Sequence, residues 1–243
     1  MTIQSKGKRP VGRTITRLSL QSKIVLTMTL FLLTLGTLGF YLLEHHNPAT
    51  MGTLNAAGKF QAAFFQSVTT RTAGFASISQ SGLTNGSKLL ACMLMIVGGS
   101  PAGTAGGIKT TTVAVLLLTA ISVLRGNKDT ECYGRKITFE IIRVAITITL
   151  VTFVFWLFGV TVMTVIEPQQ KVLDLMFEAT SAMATVGLTV DLTPVLSDIS
   201  HVVLMLMMYI GRIGPMTMAL IFSGHVDKKN QFRTLPEAKI MVG

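Results

Sequence analysis

The sequence predicts an all-α membrane protein made of two copies of one unit: a span, a polar loop dipping into the membrane, and a second span. Three observations predict it. The 243 residues are 49% hydrophobic and 13% charged, where a soluble domain carries roughly 25% charge. The basic residues fall in three patches separated by apolar segments. Two polar stretches also align without gaps at an offset of 113 residues, and a repeat of that kind fixes an architecture.

Residues 1–23 form a basic leader with Lys6, Lys8, Arg9, Arg13, Arg17 and Lys23 and no acid. Residues 24–43 are free of charge, long enough as helix to cross a core of about 30 Å. This is not a secretory signal, because the leader is long, the apolar run is a full span and no small-residue cleavage site follows. Residues 44–88 are mixed, 89–97 apolar, 98–107 a glycine-rich break, and 110–124 apolar again. Together 24–124 make the first unit, with the break as an intramembrane loop. A cytoplasmic connector, 125–136, holds Arg125, Lys128, Arg135 and Lys136 against Asp129 and Glu131. The second unit, 137–223, runs through an apolar stretch to 166 and a polar one over 167–198. Its closing run, 199–223, is apolar except for His201 and Arg212. A basic tail, 224–243, follows.

Leader, connector and tail hold most of the Lys and Arg, so they are expected on the cytoplasmic side of a multi-pass plasma-membrane protein, both termini included. Glu44, Glu167, Asp174, Asp191 and Asp198 collect on the other side. Two spans per unit carry the chain out and back. The polar stretch between them must therefore enter the membrane and leave on the same face. Cys92 and Cys132 are expected to be reduced, and no zinc spacing exists.

In the repeat, "FFQSVTTRTAGF" (64–75) lies over "FEATSAMATVGL" (177–188), pairing Thr72 with Thr185 and Gly74 with Gly187. The same offset sets Gly98 on Gly211, in "LMIVGG" and "LMMYIGR". Irregular backbone at membrane depth must be buried in protein or line a water-filled cavity. A short helix followed by an extended T-x-G segment suits a cavity, where carbonyls replace water around a cation. Glycine reaches positive φ without strain, letting consecutive carbonyls face one way. The partly negative C-terminal end of the short helix favours a cation there.

"SVTTRTAGF", "GGSPAGTAGGIKTTT", "TSAMATVGLT" and "GRIGPMT" resemble the potassium-translocating subunits of the Trk/Ktr/HKT superfamily, most nearly the KtrB type. In that family four span–loop–span units surround one pore. This sequence resembles the third and fourth, half of a four-repeat K⁺ channel-like pore. The resemblance implies an ion filter at Thr72, Ala73, Gly74, Phe75, Thr185, Val186, Gly187 and Leu188, with K⁺ held at those residues and nowhere else. It implies a gate from Gly98, Gly99, Gly103, Gly106, Gly107 and Lys109, with Arg212 beside it. It also implies a dimer of pores and a cytoplasmic ring of nucleotide-binding regulatory subunits. The transported ion is K⁺, with Na⁺ as a second candidate, moved by conduction or symport. No cofactor is expected.

The segment from Gly103 also reads G-T-A-G-G-I-K-T, close to a phosphate-binding loop, but Ile108 occupies a required glycine and no strand precedes it. Arg212 stands near the middle of an apolar run, where a charge costs about 2.5–3.5 kcal/mol on insertion scales. It is expected to face the cavity beneath the filter, or else to snorkel to the surface. Arg71, at the negative end of the first short helix, is expected to bond carbonyls or an acid behind the filter. Glu178 is expected at the start of the second short helix. His45-His46 is too isolated for a metal site.

Two functions compete. One is a K⁺-conducting subunit, completed by a separate N-terminal half or by further copies. The other is a truncated, non-conducting membrane protein that modulates a complete transporter. An enzyme is not expected, because no Ser/Lys, Asp/Asp or HExxH arrangement lies within the spans. "LSLQSKIVLTMTL" reads as the interior of a longer protein. The basic connector and tail suit an acidic protein surface or anionic lipid. No nucleic acid is expected.

Overall fold

The structure is a computed structural model that describes residues 18–101, 105–127 and 129–214. Gly103, most of the basic leader and the whole tail lie outside the described residues.

Helix α1, Leu20–Glu44, starts where Ser19 accepts from the Ser22 amide. It runs 25 residues and is long and apolar enough to cross a membrane. Helix α2, Ala56–Thr69, is capped by Asn55, whose Oδ1 accepts from the Gly58 amide at 2.7 Å. Helices α3, Asn85–Ile96, and α4, Thr110–Leu124, are each too short to cross alone. They flank the glycine-rich break, which is pinched at its neck. Gly98 N–H donates to the Ile108 carbonyl at 2.9 Å, and Ile108 N–H to the Ile96 carbonyl at 2.9 Å.

The connector was expected as a charged link. It folds as a small hairpin, β1 Glu131–Cys132 against β2 Arg135–Lys136. Tyr133 and Gly134 turn it at φ 50° and 71°, the tight turn that matches strand twist. Helix α5, Phe139–Ile166, is the second long apolar helix, and only 17% of its most apolar window is buried. Helix α6, Val172–Met183, precedes the second polar loop, a short 3₁₀ turn at Thr193–Val195, and α7, Asp198–Ile213.

Helix α6 is the hub, packing on α3, α5 and α7, while α1 packs on α2, α3 and α4. One core gathers Phe40, Met51, Met95, Met163, Leu175 and Phe177, all fully buried. A smaller one joins Ile24, Val115, Cys132, Ile137 and Ile142 under the hairpin. Cys92 and Cys132 are both free.

Candidate functional site

Helices α2 and α6 each end just before a strained loop. Thr72 and Gly74 have φ of 66° and 75°, and Thr185 and Gly187 have 52° and 92°. A β-branched residue at positive φ is a genuine outlier, costing on the order of 1–3 kcal/mol unless its surroundings impose it. The same dihedral pattern thus occurs at both positions of the 113-residue offset. The two loops touch: a Cβ on Gly74 would meet the Val186 carbonyl, and the Gly187 Cα lies 3.5 Å from that Cβ position.

Each loop is held by the helix before it. In the first, Ala73 N–H and Gly74 N–H donate to the Thr69 carbonyl at 3.2 and 3.3 Å, and Thr69 Oγ1 donates to the Phe75 carbonyl at 2.6 Å. In the second, Val186 N–H donates to the Ser181 carbonyl at 2.9 Å and Gly187 N–H to Ser181 Oγ at 3.2 Å. Their burial differs. Val186 and Leu188 are buried, whereas Ala73 is exposed and Phe75 is 71% exposed.

The glycine break lies directly against the second loop. Gly106 N–H donates to Thr185 Oγ1 at 3.1 Å, and a Cβ on Gly106 would meet the same oxygen and the Ala184 carbonyl. Gly98 has no room for a side chain either, because a Cβ there would strike the Gly106 carbonyl. Its counterpart Gly211 lets α7 pass the end of α6, where a Cβ would strike the Met183 carbonyl. The Gly99 carbonyl accepts from the Thr110 amide, closing the start of α4. Lys109 Nζ donates to the Ala105 carbonyl.

Arg71 bonds carbonyls, not an acid: Nη1 donates to the Thr29 carbonyl and Nη2 to the Gly98 carbonyl, each at 3.4 Å. It therefore ties the end of α2 to α1 and to the break, not to residues 72–75. Its buried Nε has no partner among the described residues. Arg212 stands exposed in the last turn of α7, which closes at Gly214 with φ 88°, and interacts electrostatically with Lys109. The rest of the apolar run lies outside the described residues.

Glu178 is displaced from its expected place at the helix start. It sits in the middle of α6 and is buried, with its carboxylate accepting from Thr189 Oγ1, Val190 N–H at 3.0 Å and Thr193 Oγ1 at 2.8 Å. It pins the chain that leaves the second loop.

Two further carboxylates were missed. Glu44, fully buried, accepts from the Thr84 amide at 2.9 Å and its hydroxyl at 2.8 Å, at the start of α3. Glu167 accepts from the Ser197 amide and the Ser200 hydroxyl, both at 2.8 Å, at the start of α7. Hydrogen bonds from Ser197, then Ser200, hold the Glu167 carboxyl below its usual value. The signal was present, because Thr84 and Ser87 fall on Ser197 and Ser200 at the 113-residue offset. Lys88 also pairs with Asp174 at 2.7 Å, joining the first turns of α3 and α6. Among the described residues no cluster of His, Cys, Asp and Glu could hold a metal ion.

These features define a class: a helical protein with two helices apolar enough to cross a bilayer and two strained loops meeting beyond helix C-termini. The chain belongs to the TrkH family of cation transport proteins, whose pattern it matches over residues 12–233. It is 37% identical over 225 residues to the Ktr system potassium uptake protein B of Bacillus subtilis, covering 93% of this chain and 50% of that protein. It is 34% identical over 230 residues to the potassium/sodium uptake protein NtpJ of Enterococcus hirae, covering 93% and 51%. The crystal structure of the potassium transporter TrkH from Vibrio parahaemolyticus shares the fold. Its TM-score is 0.67 at 17% identity, covering 80% of this chain and 43% of that one. The chain spans about half the length of the curated relatives it matches.

Proposed function

We propose that this chain forms half of the pore of a Trk/Ktr-type K⁺-uptake transporter in the plasma membrane. Residues 72–75 and 185–188 supply two sides of a backbone-carbonyl filter, and the 98–107 loop gates the path beneath. One observation carries this reading: the matched left-handed turns at Thr72 and Gly74 and at Thr185 and Gly187, meeting at Gly74 and Val186. Alternating left-handed residues turn successive carbonyls to one side, and carbonyls so arranged replace a cation's hydration shell. The partly negative ends of α2 and α6 add to the attraction.

The exposed Ala73 and Phe75 leave one flank of the first loop open, which suits a further filter segment. Two more units, from an N-terminal half or further copies, complete the ring. Gly98, Gly99, Gly103, Gly106, Gly107 and Lys109 form the gate, and the Gly106–Thr185 bond couples it to the filter. Arg212, electrostatically linked to Lys109, adds positive charge at its lower edge. Arg71 braces the gate through Gly98.

In this reading α1 and α5 cross the bilayer, α3 and α4 make one broken span, and α7 begins the fourth. Leader, connector and tail lie in the cytoplasm, both termini included. The relatives' names speak of potassium and, for NtpJ, potassium and sodium, so K⁺ is the cargo and Na⁺ the alternative. Two such pores pair as a dimer on a cytoplasmic nucleotide-binding ring.

The test is growth of a K⁺-uptake-deficient host at low K⁺. The chain expressed by itself is expected to fail, and co-expression with an N-terminal half of a Ktr-type subunit to restore growth. Rescue by the chain alone would favour a pore of several copies. Failure of both arms with stable protein in the membrane would refute conduction.

A further inference from the structure

A cavity of about 400 Å³ lies between α4, α5 and the end of α6, within the roughly 300–1,000 Å³ of small-molecule sites. We propose that it is a binding site for one acyl chain of a membrane phospholipid. Its walls include Ile108, Leu116, Leu150, Thr152, Trp156 and Met183.

The side-chain polar groups around it are already satisfied within the protein. Thr149 Oγ1 donates to the Ala145 carbonyl at 2.9 Å and Thr152 Oγ1 to the Ile148 carbonyl at 2.8 Å. Thr180 Oγ1 donates to the Met176 carbonyl at 2.6 Å and accepts from Trp156 Nε1–H at 2.8 Å. Water needs two to four polar partners to occupy a cavity, and these walls leave no side-chain donor free for it. An empty space of this size in turn forfeits the packing of every group that lines it.

The occupant follows from where the cavity opens. Leu150 and Phe153 on its rim are 59% and 54% exposed. They continue the outer apolar face of α5, the least buried of the two long helices. The cavity is therefore an inward extension of the surface that meets lipid tails. A slender, flexible, wholly apolar chain fits such a recess, whereas a polar headgroup does not.

The site adjoins the glycine break and the second loop. Its inner wall is Gly107 and Ile108 of the break together with Met183 and Ala184, which lead into Thr185. A tail seated there backs the loop at the point where Gly106 bonds Thr185. The inference rests on the proposed function only in taking α5 as lipid-facing.

Trp156 is the chain's sole tryptophan, so its fluorescence reports the cavity directly. The full chain is reconstituted in phosphatidylglycerol vesicles, and the lipid is replaced stepwise by one brominated along its acyl chains. Trp156 is expected to be quenched. Thr152→Phe and Leu116→Phe, which fill the space, are expected to cut that quenching by about half or more, because a packed interior leaves no room for both. Equal quenching in all three proteins, or none in the unaltered chain, would overturn the proposal; the latter would mean that protein covers the site. Should either variant misfold by circular dichroism, the other decides.

A second readout needs no substitution: a phospholipid with a diazirine near its tail end is expected to label residues 108–116. Label confined to the outer face at Leu157 and Phe158 would contradict the site. Flux is not measured, so failure here leaves the transport reading untouched.

Discussion

Thr185 holds a φ of 52° that a β-branched residue does not adopt freely. Its neighbours impose it: its N–H donates to the Ala182 carbonyl and its Oγ1 accepts from Gly106. Gly106→Ala would press a methyl on that same oxygen, and overpacking costs about 1–3 kcal/mol. We expect the variant to lower the melting temperature of the protein and, if the proposed pore assembles, to change its K⁺ flux, both measurable in reconstituted vesicles. Arg212 tests the proposed gate by charge. A unit charge about 4 Å from an ion is worth on the order of 4 kcal/mol at an effective dielectric of 20. Arg212→Ala should therefore raise flux, and Arg212→Lys should keep most of the barrier if charge is its cause. Equal rates for Arg, Lys and Ala would remove this residue from the gate.

Among the elements, the helix starts show what the sequence carried openly and what it concealed. The apolar runs at 24–43 and 137–166 were legible because length and scarcity of charge suffice for a span. The hairpin at 131–136 was not, since two-residue strands leave almost no periodicity to read. Glu44 and Glu167 looked like surface acids beyond spans, yet each reaches some 30 to 40 residues along the chain to cap a later helix. Such pairings depend on tertiary approach and leave only the Thr84/Ser197 match as a trace. Glu178 was misplaced because the pattern did not mark where α6 begins. Glu178→Ala removes the shared acceptor of three donors around the second loop, with a cost of about 1–3 kcal/mol for each group left buried and unsatisfied. Thermal unfolding should show a clear loss of stability, larger than for Lys88→Met, which leaves a partly exposed Asp174. Equal losses would mean that the Glu178 bonds do not hold the loop.

At the scale of the whole molecule, the two proposed units interlock. The ion pair from Lys88 to Asp174 and the Gly74–Val186 contact both cross between them. Topology is tested at this scale. Cys132 is a poor reporter, because it is buried and burial pushes its thiol up. Arg135→Cys and Val195→Cys are exposed alternatives on opposite sides of the proposed membrane. An impermeant thiol reagent on intact cells is expected to label position 195 and spare position 135. The reverse pattern would invert the orientation.

Gly187 is where the proposal that the two strained loops are filter segments stands or falls. A Cβ there has open space, with only the Gly74 Cα at 3.9 Å, but the φ of 92° is one that side chains rarely adopt. Gly187→Ser therefore perturbs the backbone without crowding a neighbour. The measurement is the ratio of K⁺ to Na⁺ uptake by the assembled transporter in vesicles, alongside size-exclusion evidence of intact assembly. A sharply reduced ratio with assembly retained is expected. An unchanged ratio in a folded, assembled protein would contradict it.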